Sequence, residues 1–312
     1  MTITQPDDTP PWTLKAPAKL NLCLYLGPLR EDGLHELTSI FEPLDLYDVL
    51  TVTESDRDRV KAPFIPGENI VSKTLRLLRS EGWEEGPFQV EIEKRIPTAA
   101  GLGGGSADAA AILRLAVDAV EDVTGVALML GADVPSQLNP KPLLVEGVGQ
   151  KLTSLPRPAE HWIVLLPFAE GLSTRLVFEE ADRLGLGRTQ GEIDEISGRL
   201  WAVATNAVSP LAYPALLVND LEPAALYLKP EIGTAKERME AAGAGFTGMT
   251  GTGPTVFGIF PDREAADAAA AELGPEAIIC AGGGPEPDSG HESAGDGMEP
   301  DAPPESSPEG ST

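Results

Sequence analysis

Residues 88–96 alternate apolar and polar side chains, with Phe88, Val90 and Ile92 on one face and Gln89, Glu91 and Glu93 on the other. That period of two predicts a half-buried strand. Residues 20–26 are apolar around Asn21, and 49–53 are rich in β-branched residues, so both read as strands. Residues 36–46 are apolar-rich, and Arg30-Glu31-Asp32-Gly33 signals a turn. Helical spacing appears over 69–78, where Ile70, Leu75, Leu77 and Leu78 share a face, and again over 174–184, 192–202, 231–241 and 264–272. Residues 106–119 form an Ala- and Leu-rich helix directly after the glycines of 101–105. The texture changes at Pro156-Arg157-Pro158, and the apolar strand of 162–166 is a natural start for a second domain. A second Gly-rich loop at 243–253 feeds a strand over 255–260. Strands often follow one another directly, which favours an α+β fold over a doubly wound parallel sheet.

Charge narrows the function classes. The 312 residues hold 49 acids and 23 bases, a net charge of −26. Residues 281–312 carry eight of the acids and no base, which leaves 41 acids and 23 bases, or −18, on the rest. Nucleic-acid binding needs a basic footprint to release phosphate counterions, and none is visible. An anionic membrane surface is excluded on the same ground, and no apolar run approaches the roughly 20 residues that span a bilayer. Two distant cysteines, Cys23 and Cys280, imply no disulfide framework, and with three histidines they make no His/Cys metal site. Residues 1–13 read as a flexible lead-in without the features of a signal peptide, so a cytoplasmic protein is expected. Residues 281–312 hold seven Gly, six Pro and five Ser with no aromatic, and read as a disordered acidic tail. Truncation after Cys280 is therefore expected to leave activity intact.

The strongest chemical signal is Pro97-Thr98-Ala99-Ala100-Gly101-Leu102-Gly103-Gly104-Gly105-Ser106-Ala107-Asp108. Four glycines in five residues let the backbone approach a ligand closely. The helix that follows turns its free N–H groups and positive dipole end toward the loop, which suits phosphate. Neither G-x-x-x-x-G-K-[ST] nor G-x-G-x-x-G is present, so two familiar phosphate loops are excluded. Ser106 could cap the helix or reach a phosphate or a metal. Asp108 reads as a first-turn acid complementing the dipole.

This loop resembles the phosphate loop of the GHMP kinases, and five more motifs match the family in order. Ala16-Pro17-Ala18-Lys19-Leu20-Asn21-Leu22 is similar to its N-terminal strand and Asp32-Gly33-Leu34-His35-Glu36-Leu37 to its D-G-Y-H-E-L turn. Gly131-Ala132-Asp133-Val134-Pro135 is similar to its G-A-D-V-P-F. Asn219-Asp220-Leu221-Glu222-Pro223 and Met249-Thr250-Gly251-Thr252-Gly253-Pro254-Thr255-Val256-Phe257 match its later motifs. The resemblance covers residues 14–275. It implies an N-terminal ATP-binding domain of ribosomal S5 domain 2-like type at 14–156 and a ferredoxin-like C-terminal domain at 157–280.

The resemblance also implies an activity: transfer of the ATP γ-phosphate to the 2-hydroxyl of 4-(cytidine 5′-diphospho)-2-C-methyl-D-erythritol, in the non-mevalonate route to isoprenoids. Asp133 would accept the hydroxyl proton, where an Asp in a tight turn otherwise caps the turn. Lys19 would sit beside it and offset charge on the phosphoryl group. Asn69, Lys94, Pro97, Gly101, Leu102, Gly103, Gly104, Gly105 and Ser106 would hold ATP. Asn69 also reads as a plain N-cap and Lys94 as a strand-face lysine. Asn21, His35, Thr174, Phe178, Gly251 and Thr252 would hold the substrate, with His35 on the cytosine edge and Phe178 stacked on the base. Mg²⁺ is expected from phosphoryl-transfer chemistry, with its ligands unassigned. The partner is a small molecule rather than nucleic acid or membrane, and the protein is expected to be a monomer or weak homodimer.

The sequence departs from the family in several places. Leu34 stands where the family has a stacking tyrosine, Ser136-Gln137 where it has an aromatic pair, and Asn139-Pro140-Lys141-Pro142 where it has a Gly-rich turn. Homoserine, mevalonate or a sugar as acceptor, or a catalytically silent binding protein, are the other readings open at this level.

Overall fold

A computed structural model describes residues 10–63 and 68–284. The chain opens with β1 (Trp12–Asn21), β2 (Tyr25–Leu29) and the 20-residue β3 (His35–Glu54). β4 (Arg59–Lys61), α1 (Ile70–Ser80) and β5 (Phe88–Glu93) follow, then α2 (Gly104–Leu113), α3 (Val123–Leu130) and α4 (Val134–Leu138). β6 (Leu143–Gly147) and β7 (Lys151–Ser154) complete a seven-stranded sheet.

β3 is the spine of this sheet. Its first half pairs with β2 and β6, its second half with β5, and β1 spans both from Phe41 to Val52, all antiparallel. The sequence suggests an apolar segment over 36–46, with a proline and an acid inside it, and a separate strand over 49–53. The ladder instead joins the two through a bulge, where residues 44–46 stand opposite the single Ala18 of β1. Beyond that bulge β1 turns wholly inward, and Lys19 and Asn21 are buried with the apolar residues around them.

The helices α1, α2 and α3 cover one face of the sheet through Trp12, Leu14, Leu50, Val52, Val90 and Ile92. α2 is lined with alanines and buried from Ala107 onward, so it can approach the sheet closely. It starts at Gly104, with Gly103 as its left-handed N-cap (φ +69°), two residues earlier than the sequence suggests. Asp108 therefore sits in the second turn. It is a buried partner of Lys94, not a first-turn complement to the dipole.

A second sheet begins after Pro156–Pro158 with β8 (Trp162–Leu166). α5 (Thr174–Leu184), α6 (Gln190–Ala204), α7 (Glu222–Leu228) and α8 (Glu231–Ala241) lead to β9 (Phe246–Met249), β10 (Val256–Phe260), α9 (Arg263–Leu273) and β11 (Ile278–Ala281). The strand order β11-β8-β10-β9, antiparallel throughout, is that of a split β-α-β fold. One apolar cluster, from Leu20 and Ile40 through Leu165 to Phe257 and Cys280, is shared by both sheets.

Two expectations about the ends change. Trp12 and Thr13 already belong to β1, and Trp12 is buried, so the lead-in stops before residue 12. At the other end Ala281 N–H donates to Asp45 Oδ1 at 2.7 Å and Gly282 N–H to the His161 carbonyl at 3.1 Å. Residues 281–284 therefore pack against the body. The rest of the expected lead-in (1–9) and of the expected tail (285–312) lies outside the described residues.

Candidate active site

The loop 97–103 and the start of α2 separate two cavities. One, of about 570 Å³, is lined by Asn69, Lys94, Pro97 and the glycine loop through Ser106. The other, of about 740 Å³, is lined by Lys19, Asn21, Asp133 and, toward its far end, His35 and Phe178. Gly101, Gly103 and Ser106 line both cavities, so a group held on the loop faces each of them.

The glycines are required sterically. A Cβ on Gly103 would lie 2.8 Å from Lys19 Cγ, and one on Gly101 would lie 2.7 Å from the Thr250 carbonyl oxygen. Both residues also take positive φ, +69° and +78°. The first glycine loop is thus wedged against Lys19 on one side and the 250–255 loop on the other.

Lys19 sits just past the β1 bulge, where its N–H donates to the Leu102 carbonyl at 3.0 Å. Its ammonium donates to Asn21 Oδ1 at 2.5 Å, lies 3.4 Å from Asp133 Oδ2 and sits 4.6 Å from the centre of the Phe41 ring. Asn21 is two residues along the strand and therefore on the same face, as the sequence predicts. Its amide in turn donates to Ser39 Oγ at 2.9 Å. Asp133 stands at the N-terminus of α4, yet its side chain makes no capping hydrogen bond there. Its carboxylate is 39% exposed and faces the cavity beside the buried Lys19. The bland role of a turn-capping aspartate is therefore not the one it plays.

Arg114 joins the two elements that carry this pair. Its guanidinium, whose pKa burial lowers to about 10, donates to the Lys15 carbonyl of β1 and the Gln137 carbonyl of α4, each at 2.8 Å. Nothing in the local sequence marks Arg114, because both of its partners are distant main-chain atoms.

On the nucleotide side Asn69 is both N-cap and cavity wall. Its Oδ1 accepts from Val71 N–H at 2.8 Å and leaves the amide donors for a ligand. Lys94 also borders that cavity, but its ammonium is held by Asp48 and by Asp108, the latter at 2.8 Å. Burial opposes its charge, and the two carboxylates outweigh that and raise its pKa. Burial likewise raises the Asp108 carboxyl to about 7, against the pull of Lys94. Lys94 therefore braces the cavity wall, and its charge is already neutralised.

At the far end of the second cavity, His35 Nδ1 lies 2.9 Å from the Gly27 carbonyl oxygen and Nε2 lies 2.8 Å from Asp182 Oδ1. A base edge at Nε2 would have to share it with Asp182, a partner the sequence does not announce. The His35 and Phe178 rings are 5.9 Å apart at 32°. Leu34 is 53% exposed and lines the same end. Thr174 Oγ1 lies 3.2 Å from Thr252 Oγ1, so the start of α5 meets the second glycine loop. Asn219 holds that loop by donating to the carbonyls of Met249 and Gly251 at 2.7 and 2.8 Å. Asp220 pairs with Arg188 at 2.6 Å and accepts from Leu26 N–H at 3.0 Å. The Asn219–Asp220 motif thus ties β2 to the loop that carries Gly251 and Thr252.

Among the described residues, no group of three or more His, Cys, Asp or Glu side chains is arranged to hold a metal ion. No helix among them is long and apolar enough to cross a membrane.

Residues 69–135 match the family model of the GHMP kinases N terminal domain, and residues 208–279 that of the GHMP kinases C terminal. A 4-diphosphocytidyl-2-C-methyl-D-erythritol kinase of Geobacter metallireducens is 38% identical over 275 residues, which cover 84% of this chain and 93% of that one. One of Anaeromyxobacter sp. (strain Fw109-5) is 35% identical over 275 residues, 84% of this chain and 87% of the other. The chain belongs to the 4-diphosphocytidyl-2-C-methyl-D-erythritol kinase family. A crystal structure of a 4-(cytidine 5′-diphospho)-2C-methyl-D-erythritol kinase superposes with a TM-score of 0.72 at 32% identity and covers 88% of this chain and all of that one. The homoserine kinase of Cytophaga hutchinsonii shares the fold at 19% identity, with a TM-score of 0.64 over 87% of this chain and 95% of that one. The α+β reading therefore holds: the seven-stranded unit is the family's S5-like N-terminal domain, and the four-stranded unit its ferredoxin-like C-terminal domain.

The structure gathers all the residues that the resemblance singles out into these two cavities. Lys19, Asn21, His35, Asp133, Thr174, Phe178, Gly251 and Thr252 line the larger one. Asn69, Lys94, Pro97, Leu102, Gly104 and Gly105 line the smaller one, and Gly101, Gly103 and Ser106 stand between the two. Leu102 contributes main chain only, because its side chain is buried. Phe41 and Asp182 line the larger cavity without a signal in the sequence, and Arg114, equally unmarked, braces the elements that carry Lys19 and Asp133.

Proposed function

We propose that this chain transfers the γ-phosphate of ATP to the 2-hydroxyl of 4-diphosphocytidyl-2-C-methyl-D-erythritol, a step of the non-mevalonate route to isoprenoids. One observation carries the reading: the Lys19–Asp133 pair stands where the two cavities meet across the glycine loop. ATP binds in the smaller cavity with its phosphates on the N–H groups of 101–105 and the start of α2. The hydroxyl oxygen attacks the γ-phosphorus, the bond to the β-phosphate oxygen breaks, and ADP leaves. The Asp133 carboxylate accepts the hydroxyl proton and passes it to solvent. Lys19 supplies positive charge beside the forming bond, where it offsets charge on the transferring group. The cytosine end lies against Phe178, His35 and Leu34, with the apolar Leu34 in the place of the family's tyrosine. Asn21, Thr174, Gly251 and Thr252 line the path between the two ends.

Mg²⁺ fits this site as an ion held chiefly by the ATP phosphates and water. Ser106 offers a hydroxyl at the shared rim of the cavities, whereas Asp108 is tied to Lys94. The ion would neutralise phosphate charge. The enzyme is proposed to act as a monomer or weak homodimer, and ATP as donor suits a cytoplasmic enzyme. We place the boundary between the two domains at residues 156 and 157.

The test is ATP turnover with the cytidyl substrate beside homoserine, mevalonate and a hexose. Turnover of the cytidyl substrate at least 100-fold above the others is expected. Equal or greater turnover of another acceptor refutes the substrate, and no turnover of any refutes the kinase.

A further inference from the structure

The relatives' name puts a diphosphate in the middle of the substrate. The cavity supplies a continuous path from the reacting end to the base end. Lys19 and Asn21 abut Gly251, whose Cβ position lies 3.2 Å from Asn21 Oδ1 and 3.9 Å from Lys19 Nζ. Thr252 follows and meets Thr174 at 3.2 Å. One helical turn along α5 stands Phe178, which faces His35. A substrate laid along this path puts its diphosphate beside Thr174 and the residue next to it, Arg175.

The charges lining the cavity make that position matter. Asp133, Glu179 and Asp182 bring three carboxylates, against the cations Lys19 and Arg175. Lys19 is committed to Asn21 and Asp133 at the reacting end. A diphosphate with about two negative charges would otherwise enter a cavity that is already acidic, in a protein of net charge −26. Arg175 now donates to Glu179 Oε1 at 2.8 Å. Both side chains are well exposed, 77% and 53%, so this pair holds the guanidinium only weakly. A phosphate accepts the guanidinium fork through two parallel hydrogen bonds, a better match than one exposed carboxylate oxygen.

We infer that Arg175 is the diphosphate-recognising residue of the substrate cavity, parked on Glu179 until the ligand arrives. This rests on the substrate reading above, and the test separates the two. Dissociation constants are measured for CDP and for cytidine, without ATP, on the wild type and on Arg175→Gln, Arg175→Lys and Glu179→Gln. CDP is expected to bind the wild type more tightly than cytidine. In Arg175→Gln its affinity falls about 10–100-fold, the range of a lost charge-assisted hydrogen bond, while that of cytidine stays unchanged. Arg175→Lys restores part of the loss, and Glu179→Gln binds CDP at least as tightly as the wild type. If Arg175→Gln leaves the CDP-to-cytidine ratio unaltered, or weakens both ligands equally, the inference is overturned and the substrate reading stands. If the wild type binds neither ligand, both fall.

Discussion

In the proposed mechanism two side chains 3.4 Å apart, Lys19 and Asp133, carry the chemistry, and the Asp133 carboxylate is free for it because a neighbour closes its turn. Ser136 Oγ donates to the Asp133 carbonyl at 2.7 Å, so the turn is closed without the Asp133 carboxylate. Asp133→Asn keeps the shape and removes the proton acceptor. Its kcat should fall about 10²–10⁴-fold while ATP affinity is retained, as read by steady-state kinetics and nucleotide titration. An unchanged kcat would remove Asp133 from the mechanism. Gly103→Ala tests the loop. Its Cβ meets Lys19 Cγ at 2.8 Å and its φ is +69°, so both the loop and the lysine must shift. We expect ATP affinity to drop at least 10-fold, with kcat lowered as well, because one clash disturbs both groups. Loss of ATP affinity alone would show that Lys19 is not coupled to the loop.

At the scale of elements, the helices were the most legible. α5 and α8 begin and end where the apolar spacing says, since each buries one face and meets a turn at its end. β6, β7 and β11 carry no strand signal in the sequence, being short strands whose pairing with β3, β6 and β8 respectively confers their identity. β9 was hidden inside a segment read as a Gly-rich loop; pairing with β10 makes it a strand. Glu42 of β3 and His161, the residue before β8, also form a buried pair that no motif marks. His161 Nε2 lies 2.9 Å from Glu42 Oε1, an ion-pair distance that is not aligned as a hydrogen bond, and both side chains are inaccessible. Burial opposes the imidazolium, and the Glu42 charge outweighs it and raises the His161 pKa above its usual 6.5. The stabilisation is therefore full below about pH 6.5 and is lost as pH rises through the raised value. His161→Gln leaves Glu42 without its partner, a loss on the order of 3–5 kcal/mol for a buried pair. The Tm deficit of this variant should be larger at pH 6 than at pH 9. A deficit independent of pH would mean that the imidazole is not charged there.

At the scale of the whole molecule, the division of charge needs a new boundary. Reading the chain from Ala281 as a tail rested on its Gly, Pro and Ser content. Three of those glycines, however, are packed against the body. A Cβ on Gly282 would lie 2.1 Å from His161 Nε2, and one on Gly284 would lie 2.8 Å from Pro43 Cγ. Low side-chain volume, read as a sign of disorder, is here what lets the chain close over the His161–Glu42 pair. Truncation after Cys280 should therefore lower Tm by several degrees, because it removes the hydrogen bonds of Ala281 and Gly282 and opens the pair to water. Truncation after Gly284 should leave Tm and kcat unchanged. Equal Tm for the two truncations would return the boundary to Cys280.

The phosphate loop and five further ordered motifs were enough to determine the α+β class and many of the residues that line the site. Each motif needs a particular residue type for a local reason: glycine for positive φ and close approach, a lysine and an asparagine two apart on one strand face, an aspartate at a helix start. Only the tertiary structure decided which of these groups remain free. Lys94 is neutralised by Asp48 and Asp108, His35 is held between Gly27 and Asp182, and Asp133 is released by Ser136. It also supplied Arg114 and Arg175, which no motif marks, and showed that Asn219 holds the loop of Met249 and Gly251. Hydrogen bonds and charge compensation act across space, so a side chain's commitment depends on what the fold brings next to it.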